Sequence, residues 1–203
     1  LGDGNLRTGL FYIFVALWLV IVPSISQATD RCISFIKDVR TEHIKYFGWA
    51  YPWWYGVGQL RQESCCRATV TSFDAGQGIA QFMPKTSQYI QSLMGEKLDP
   101  YNPKHAIRMQ AFYMHRIHMK ENWTKKLWID EQIYNGGRTT LFSEYRRAGV
   151  TDWDLMRLSC ERKKIKLKSG SILDFCKVNY DYSKKIYEYG KQYRRGPDGI
   201  SFW

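Results

Sequence analysis

The chain has 203 residues, 44% of them hydrophobic and 24% charged, which excludes a wholly disordered polypeptide and leaves room for one well-buried domain rather than two. Its 30 Lys and Arg against 19 Asp and Glu give a formal net charge of +11, which favours anionic partners without choosing between nucleic acid, anionic lipid and acidic polymers. Aromatic residues reach 16%, a content that suits stacking on sugars or bases and equally suits a dense core.

In chain order, the first feature is Arg7 followed by 13 apolar residues, Leu10 to Val22, then Pro23 and the small residues Ser26 and Ala28. A basic start, a short apolar run and small residues at −3 and −1 are the layout of a secretory signal peptide. The run is shorter than the roughly 20 residues of a bilayer span, so residues 1–28 are expected to be a cleaved signal. An uncleaved membrane anchor is the alternative, and a buried helix ranks below both. Residues 29–203 are then the exported domain, and all of the +11 belongs to it. Residues 138–203 carry 15 basic and 8 acidic residues, against 14 and 10 in residues 29–137, so the surplus is concentrated in the last third.

Export agrees with the five cysteines, which tend to pair outside the reducing cytosol. Cys160 and Cys176 flank a basic loop and are expected to bridge. Cys32 has two candidate partners, Cys65 and Cys66, and one thiol is left over. No C-x-x-C occurs, so a zinc ribbon or a thioredoxin-type site has no support.

Most of the exported chain reads as helix. Arg31 to Tyr46 carries Ile33, Ile36, Val39 and Ile44 at near-helical spacing. Trp54 to Cys66 follows Pro52, Lys85 to Met94 follows Pro84, and Lys104 to Asn122 follows Pro103, proline being well placed at a helix's first turn. Tyr182, Ile186, Tyr189 and Tyr193 mark a last helix over Tyr182 to Tyr193. Strand signals are weak, the best being the alternation Lys164-Ile165-Lys166-Leu167-Lys168. The fold class is therefore mainly α, a single domain with room for a small β-hairpin.

The stretch Arg61 to Thr86 carries the chemistry. Glu63 ends an apolar segment and is followed by a loop bearing Ser and Gly. Cleaving a bond between sugars requires protonation of its leaving oxygen, and a semi-buried Glu of raised pKa can supply that proton near neutrality. An isolated Glu-Ser pair would be a solvated helix end, but the spacing of the residues after Glu63 changes that weight. Glu63-Ser64, Ser72, Gly78, Gln81, Met83-Pro84 and Thr86 form an ordered set. Leu98-Asp99-Pro100 with Asn102, then Ile133-Tyr134-Asn135-Gly136-Gly137, then the Tyr-rich last helix continue the order.

This order resembles the lytic transglycosylases of the goose-lysozyme-like superfamily over roughly residues 45 to 193. The resemblance implies a lysozyme-like fold, action on peptidoglycan between N-acetylmuramic acid and N-acetylglucosamine, and no cofactor or metal. It implies Glu63 as sole catalytic acid and base. Tyr134 would hydrogen-bond Glu63, while Ser72, Gln81 and Asn135 would contact sugar amides or order the cleft. Gly78 would let a backbone turn approach the substrate. The chain departs from the pattern at Ala75, where Gly is usual, at Ala80, and at Cys65-Cys66, which would pin the catalytic helix to the Cys32 region. Arg67 is expected to point away, since a guanidinium on Glu63 would lower its pKa and oppose general-acid duty.

Asp74 is the candidate second carboxylate. At about 6.5–9.5 Å from Glu63 it could activate water and make the enzyme an inverting hydrolase, a goose-type lysozyme. A turn-capping role is the plainer reading. His105, His115 and His118 have a spacing compatible with metal binding, but no carboxylate completes a site, and surface or core histidines are favoured. Tyr51, Trp53, Trp54 and Tyr55 suit either a sugar-stacking platform or the core, and Trp123 and Trp128 suit the core. The run Glu161 to Lys168 reads as a solvated basic face.

The expected setting is the periplasm or cell envelope, with peptidoglycan as the anionic partner and the basic last third helping to hold it. The corollary is salt-sensitive wall binding, weakened by Gln at Lys163, Lys164, Lys166 and Lys168. Attachment through residues 10–22 is the membrane alternative. A non-catalytic wall-binding component of a secretion, conjugation or phage-entry apparatus is the alternative of a different class. Nucleic acid is disfavoured, since the basic surplus matches no recognition motif.

Overall fold

A computed structural model describes residues 30–121, 126–167 and 169–194, and the expectations placed on residues 1–28, Trp123 and Lys168 lie outside them. A short 3-10 turn, Arg31–Phe35, leads into α1, Ile36–Phe47. Then come α2, Trp54–Ser64, α3, Pro84–Met94, and α4, Pro103–Lys120. The second half holds α5, Leu127–Gly136, α6, Arg138–Ala148, and α7, Trp153–Leu158. A hairpin of β1, Lys164–Lys166, and β2, Ile172–Asp174, precedes α8, Phe175–Gly190, and a closing 3-10 turn, Lys191–Tyr193. The architecture is mainly α with one small antiparallel hairpin, in register Lys164↔Asp174, Ile165↔Leu173 and Lys166↔Ile172.

The proline-marked helices start where local chemistry dictates. Asn102 Oδ1 accepts from the backbone N–H of Lys104 at 3.0 Å and of His105 at 3.4 Å, capping α4 ahead of Pro103. Asp174 caps α8 in the same way, through Cys176 and Lys177, so α8 begins seven residues before the Tyr182 where periodicity alone suggested a start. The sequence reading named no helix between residues 127 and 174. α5 is buried all round from Leu127 to Ile133 and so shows no amphipathic period, α7 is only six residues, and α6 is strongly polar.

α2 is the central element. Every residue from Trp54 to Leu60 is buried, and the helix packs mainly on α8. The approach is close because it is made of glycines. A Cβ on Gly58 would fall on the Ile186 carbonyl and 2.8 Å from the Gly190 nitrogen, and one on Gly190 would lie 2.7 Å from the Trp54 ring. Two apolar cores result. One gathers residues of α1, α2, α3, the first half of α4 and the middle of α8. The other holds Met114, Ile117, Trp128, Ile129, Ile133, Leu141, Met156 and Tyr180. Phe47, Tyr113 and Tyr134 pack against both.

Two disulfides fix the ends of this arrangement. Cys32–Cys66 ties the 3-10 turn to the residues after α2, leaving Cys65 as an exposed free thiol, and Cys160–Cys176 closes the hairpin onto α8. Among the described residues no helix is long and apolar enough to cross a membrane.

Candidate active site

Glu63 sits in the last turn of α2 and is half-buried. The helix stops one residue later because Cys65 adopts the left-handed region, φ 52°, and Cys66 continues it at φ 57°. That reversal decides the fate of Arg67. It is not one helical turn beyond Glu63, and its Nε donates to the Ser64 carbonyl at 2.9 Å, pointing away as expected. Ser64 turns inward and its hydroxyl donates to the Ile79 carbonyl at 2.8 Å, fastening the helix end to the next loop.

The Glu63 carboxyl is pushed up to about 7, chiefly by burial. Tyr182 on α8 donates its hydroxyl proton to Oε1 and pulls in the opposite direction, while the charge of Asp74 adds to the upward push. A carboxyl balanced near neutrality holds a proton it can release and take back, as a general acid and base must.

The hydrogen bond from Tyr134 departs from expectation. Its hydroxyl donates to the Ala80 carbonyl at 2.8 Å, not to Glu63, because its ring is held between Phe82 and Tyr113 at the junction of the two cores. Tyr182 takes the orienting role, and Tyr134 instead braces the loop. The charge of Glu63 raises the pKa of both phenols, so both stand close to it.

Residues 71–82 form a tight loop closed by the bridges Thr71↔Gln77 and Gln77↔Phe82. Ser72 Oγ accepts from the Gly76 N–H at 2.8 Å and donates to Asp74. Gln81 Nε2 donates to the carbonyls of Gly78 at 2.7 Å and Val70 at 3.3 Å. Both side chains order the loop. Gly78 was expected to let the backbone approach substrate, but it is buried at φ 68° and a Cβ there would strike the Pro100 carbonyl. The close approach is between two segments of the protein itself. Ala75, standing where Gly is usual, has φ 73° and so carries backbone strain that glycine would not.

Asn135 lies in the last turn of α5 and is exposed, its Nδ2 donating to Asn179 Oδ1 at 2.6 Å. Asn135 and Asp74 open onto a groove of about 830 Å³ between α6, the hairpin and α8. Phe73, Phe175, Arg147 and Lys163 also line it, while Glu63 is not among its walls. Arg162, expected on a solvated face, is drawn inward by the fully buried Glu144, donating from Nε at 2.6 Å and Nη2 at 3.3 Å. Lys164 and Lys166 remain exposed on β1.

The other candidates resolve into packing. Tyr51, Trp53, Trp54 and Tyr55 are all buried and form core, and the exposed aromatic nearby is Trp49. Trp128 is core. His118 does have a carboxylate, Asp130, at 2.7 Å, while His115 packs on Phe47 and His105 Nδ1 accepts from the Asp99 N–H. No three potential ligands come together among the described residues.

Sequence reading missed Glu131. It lies one turn before Tyr134 on α5, is 1% exposed, and is pushed far above the usual carboxylate range by burial and by the charges of Asp130 and Glu63. The signal available was an Asp-Glu pair inside the apolar run Leu127 to Ile133.

No family model and no curated protein matches the chain. Solved structures do. A lytic transglycosylase Slt from Pseudomonas aeruginosa, in an inactive mutant form, superposes with a TM-score of 0.60 at 17% identity over 77% of this chain and 23% of that one. The 70 kDa soluble lytic transglycosylase of Escherichia coli gives 0.58 at 20% identity over 76% and 24%, and its complex with bulgecin A gives 0.57 at 19% over 75% and 23%. The fold is that of the lytic transglycosylases. The chain spans about a quarter of the length of these neighbours. The mainly α, lysozyme-like architecture expected from the Glu-Ser and Tyr-Asn motifs is thereby established, and the identities, all at or below 20%, carry the likeness no further than fold.

Proposed function

We propose that this chain is an exported peptidoglycan lytic transglycosylase with Glu63 as its single general acid and base. One observation carries the reading: a half-buried carboxyl at the end of the central helix, held by Tyr182, without a basic partner among the described residues and pushed up to about 7. It is supported by the fold shared with two soluble lytic transglycosylases.

In this reaction Glu63 gives its proton to the oxygen leaving from C1 of the muramoyl residue, and the C1–O bond breaks. The muramoyl C6 hydroxyl closes on C1, and its proton returns to Glu63. The product is a 1,6-anhydro ring, and no water is consumed. Because the nucleophile is already part of the substrate, its effective concentration is high and no second carboxylate is required. The groove beside Asp74 and Asn135 would seat the part of the glycan strand that flanks the bond held at Glu63, with Phe73 and Phe175 available for stacking. Residues 1–28 would direct the chain to the cell envelope.

Asp74 supports a second reading, hydrolysis on the same fold. Its carboxylate lines the groove and its charge reaches Glu63. Purified wild type and Glu63→Gln, incubated with isolated sacculi and followed by mass analysis of the soluble muropeptides, decide between them. Anhydro ends made by wild type alone are the expected result. Reducing ends, heavier by one water, would make the enzyme a muramidase. Equal release by both proteins, or by neither, would defeat the catalytic assignment and leave a wall-binding component of a larger apparatus.

A further inference from the structure

Behind Glu63 runs a buried chain of amide and phenol groups that the reaction as described does not use. Gln110 on α4 and Gln59 on α2 are both 0% exposed, and Tyr182 on α8 is 4% exposed. Gln110 Nε2 donates to the Gly56 carbonyl at 3.2 Å and to Gln59 Oε1 at 2.5 Å. Gln59 Nε2 donates to the Tyr182 hydroxyl oxygen at 3.4 Å and faces Met114 Sδ at 3.7 Å. Tyr182 donates to Glu63 Oε1.

The direction of every bond in this chain is forced from its far end. A carbonyl only accepts, so Gly56 selects the NH₂ end of Gln110. That amide has two protons, and the second goes to Gln59, which must therefore present oxygen to Gln110 and nitrogen to Tyr182. Tyr182 then receives a proton on its oxygen, and its own single proton is left for Glu63. Reversing either amide would set two donors or two acceptors against each other, and reversing the last bond would leave the buried Tyr182 hydroxyl proton without an acceptor, each costing a full unsatisfied polar group.

We infer that Gln59, oriented by Gln110, is a positioning residue for the Glu63 reaction: it makes Tyr182 an obligate donor to Oε1, so that the proton Glu63 transfers is carried on Oε2. The inference rests on the catalytic reading of Glu63 for its importance, but not for its test. Without Gln59 the phenol is free to rotate, and Oε1 is no longer always occupied. The carboxylate then loses a stabilising donor and holds its proton to higher pH. The other groups that face Glu63 and Tyr182 are Asp74 from the loop and Glu131 and Tyr134 from α5. On the α1 side, His43 lies against Gly56 and is held neutral by burial, its pKa lowered to about 4. None of them is changed by a substitution at Gln59.

The experiment is a ¹³C NMR titration of the Glu63 carboxyl in the full chain, wild type against Gln59→Met, beside the pH profile of anhydromuropeptide release. Gln59→Met is expected to move the Glu63 titration and the basic limb of the rate profile upward by about one pH unit, the size of one hydrogen bond to a charged group. Gln110→Met acts one link away, should shift both in the same direction by less, and serves if Gln59→Met does not fold. Met114→Leu removes the other neighbour of Gln59 and leaves the chain of donors intact, so its titration should stay at the wild-type position. An unmoved Glu63 titration in folded Gln59→Met overturns the inference, as does an equal shift in Met114→Leu, which would make the effect one of packing. If Glu63→Gln keeps full activity, the catalytic reading fails separately, and the carboxyl titration still reports on the chain of donors.

Discussion

The chemistry of single residues here is set by what water cannot reach. The Glu63 carboxyl is raised because burial penalises its charged form, and Tyr182 returns only part of that loss. The consequence for stability has a definite sign. A Glu with a folded pKa of about 7 holds its proton in the folded state between its ordinary value of 4.5 and 7, where the unfolded chain has already released it. Its contribution is therefore complete below about 4.5 and lost as pH rises through 7. Gln at this position cannot ionise and keeps an oxygen for Tyr182. Glu63→Gln should thus match wild type in urea denaturation at pH 4.5 and exceed it by about 2 kcal/mol at pH 8, the figure being discounted for partial exposure. Equal stabilities at both pH values would mean that the carboxyl is solvated. His43 contributes with the opposite slope, losing stability as pH falls from 6.5 towards 4. It is present in both proteins and cancels in the comparison.

At the level of helices, the contact of α2 with α8 is what places Tyr182 on Glu63. That contact depends on two glycines that let the helices approach at backbone distance, Gly58 from α2 and Gly190 at the end of α8. Gly58→Ala would gain helix propensity in isolation, yet its Cβ would fall on the Ile186 carbonyl. Neither a carbonyl nor the adjacent backbone can step aside as a flexible side chain would. The expected cost is about 3 kcal/mol, read as a lowered melting temperature, together with a loss of turnover as α8 and its tyrosine are displaced. Unchanged stability would mean that the helices lie further apart than the glycines suggest. The same helices show what periodicity can and cannot reveal. α1 to α4 were legible because proline, asparagine or an apolar stripe marked them. α5 was not, because a helix buried on all sides has no polar face to set the period. Its invisibility hid Glu131, whose helical spacing from Tyr134 would have placed both at the site.

Across the molecule, one disulfide fastens the end of α2 and the other the start of α8. Cys32–Cys66 closes a separation of 34 residues and holds the residues after α2 against the chain's first described turn. Asp30 at that turn also takes a hydrogen bond from Tyr193 and an ion pair from Arg61 at 3.3 Å, so both ends of the described chain meet α2. Removing the bridge with Cys32→Ser and Cys66→Ser together should cost about 4 kcal/mol by loop entropy, measured by thermal or urea denaturation. The Cys160–Cys176 bridge closes a separation of 16, and its removal should cost less, about 3 kcal/mol. A larger effect from the second bridge would place the stabilisation in native contacts of the hairpin rather than in the unfolded chain.

Helical class, the start sites of α2, α3 and α4, the bridging of Cys160 to Cys176 and a motif order pointing to the lysozyme-like fold could all be read from the amino acids alone. Those features are local: caps, prolines, spacings and residue types act over a few positions. Packing in three dimensions was needed to pair Cys66 rather than Cys65 with Cys32, to set Tyr182 rather than Tyr134 on Glu63, and to press Gly78 against the protein's own backbone. It also turned Arg162 from a basic face inward to Glu144. Each of these depends on which of two neighbouring groups points across a contact between segments. That direction is set by packing between positions more than 20 residues apart in all but the Arg162 case. The electrostatics at Glu63 came from burial, not from the net charge of +11.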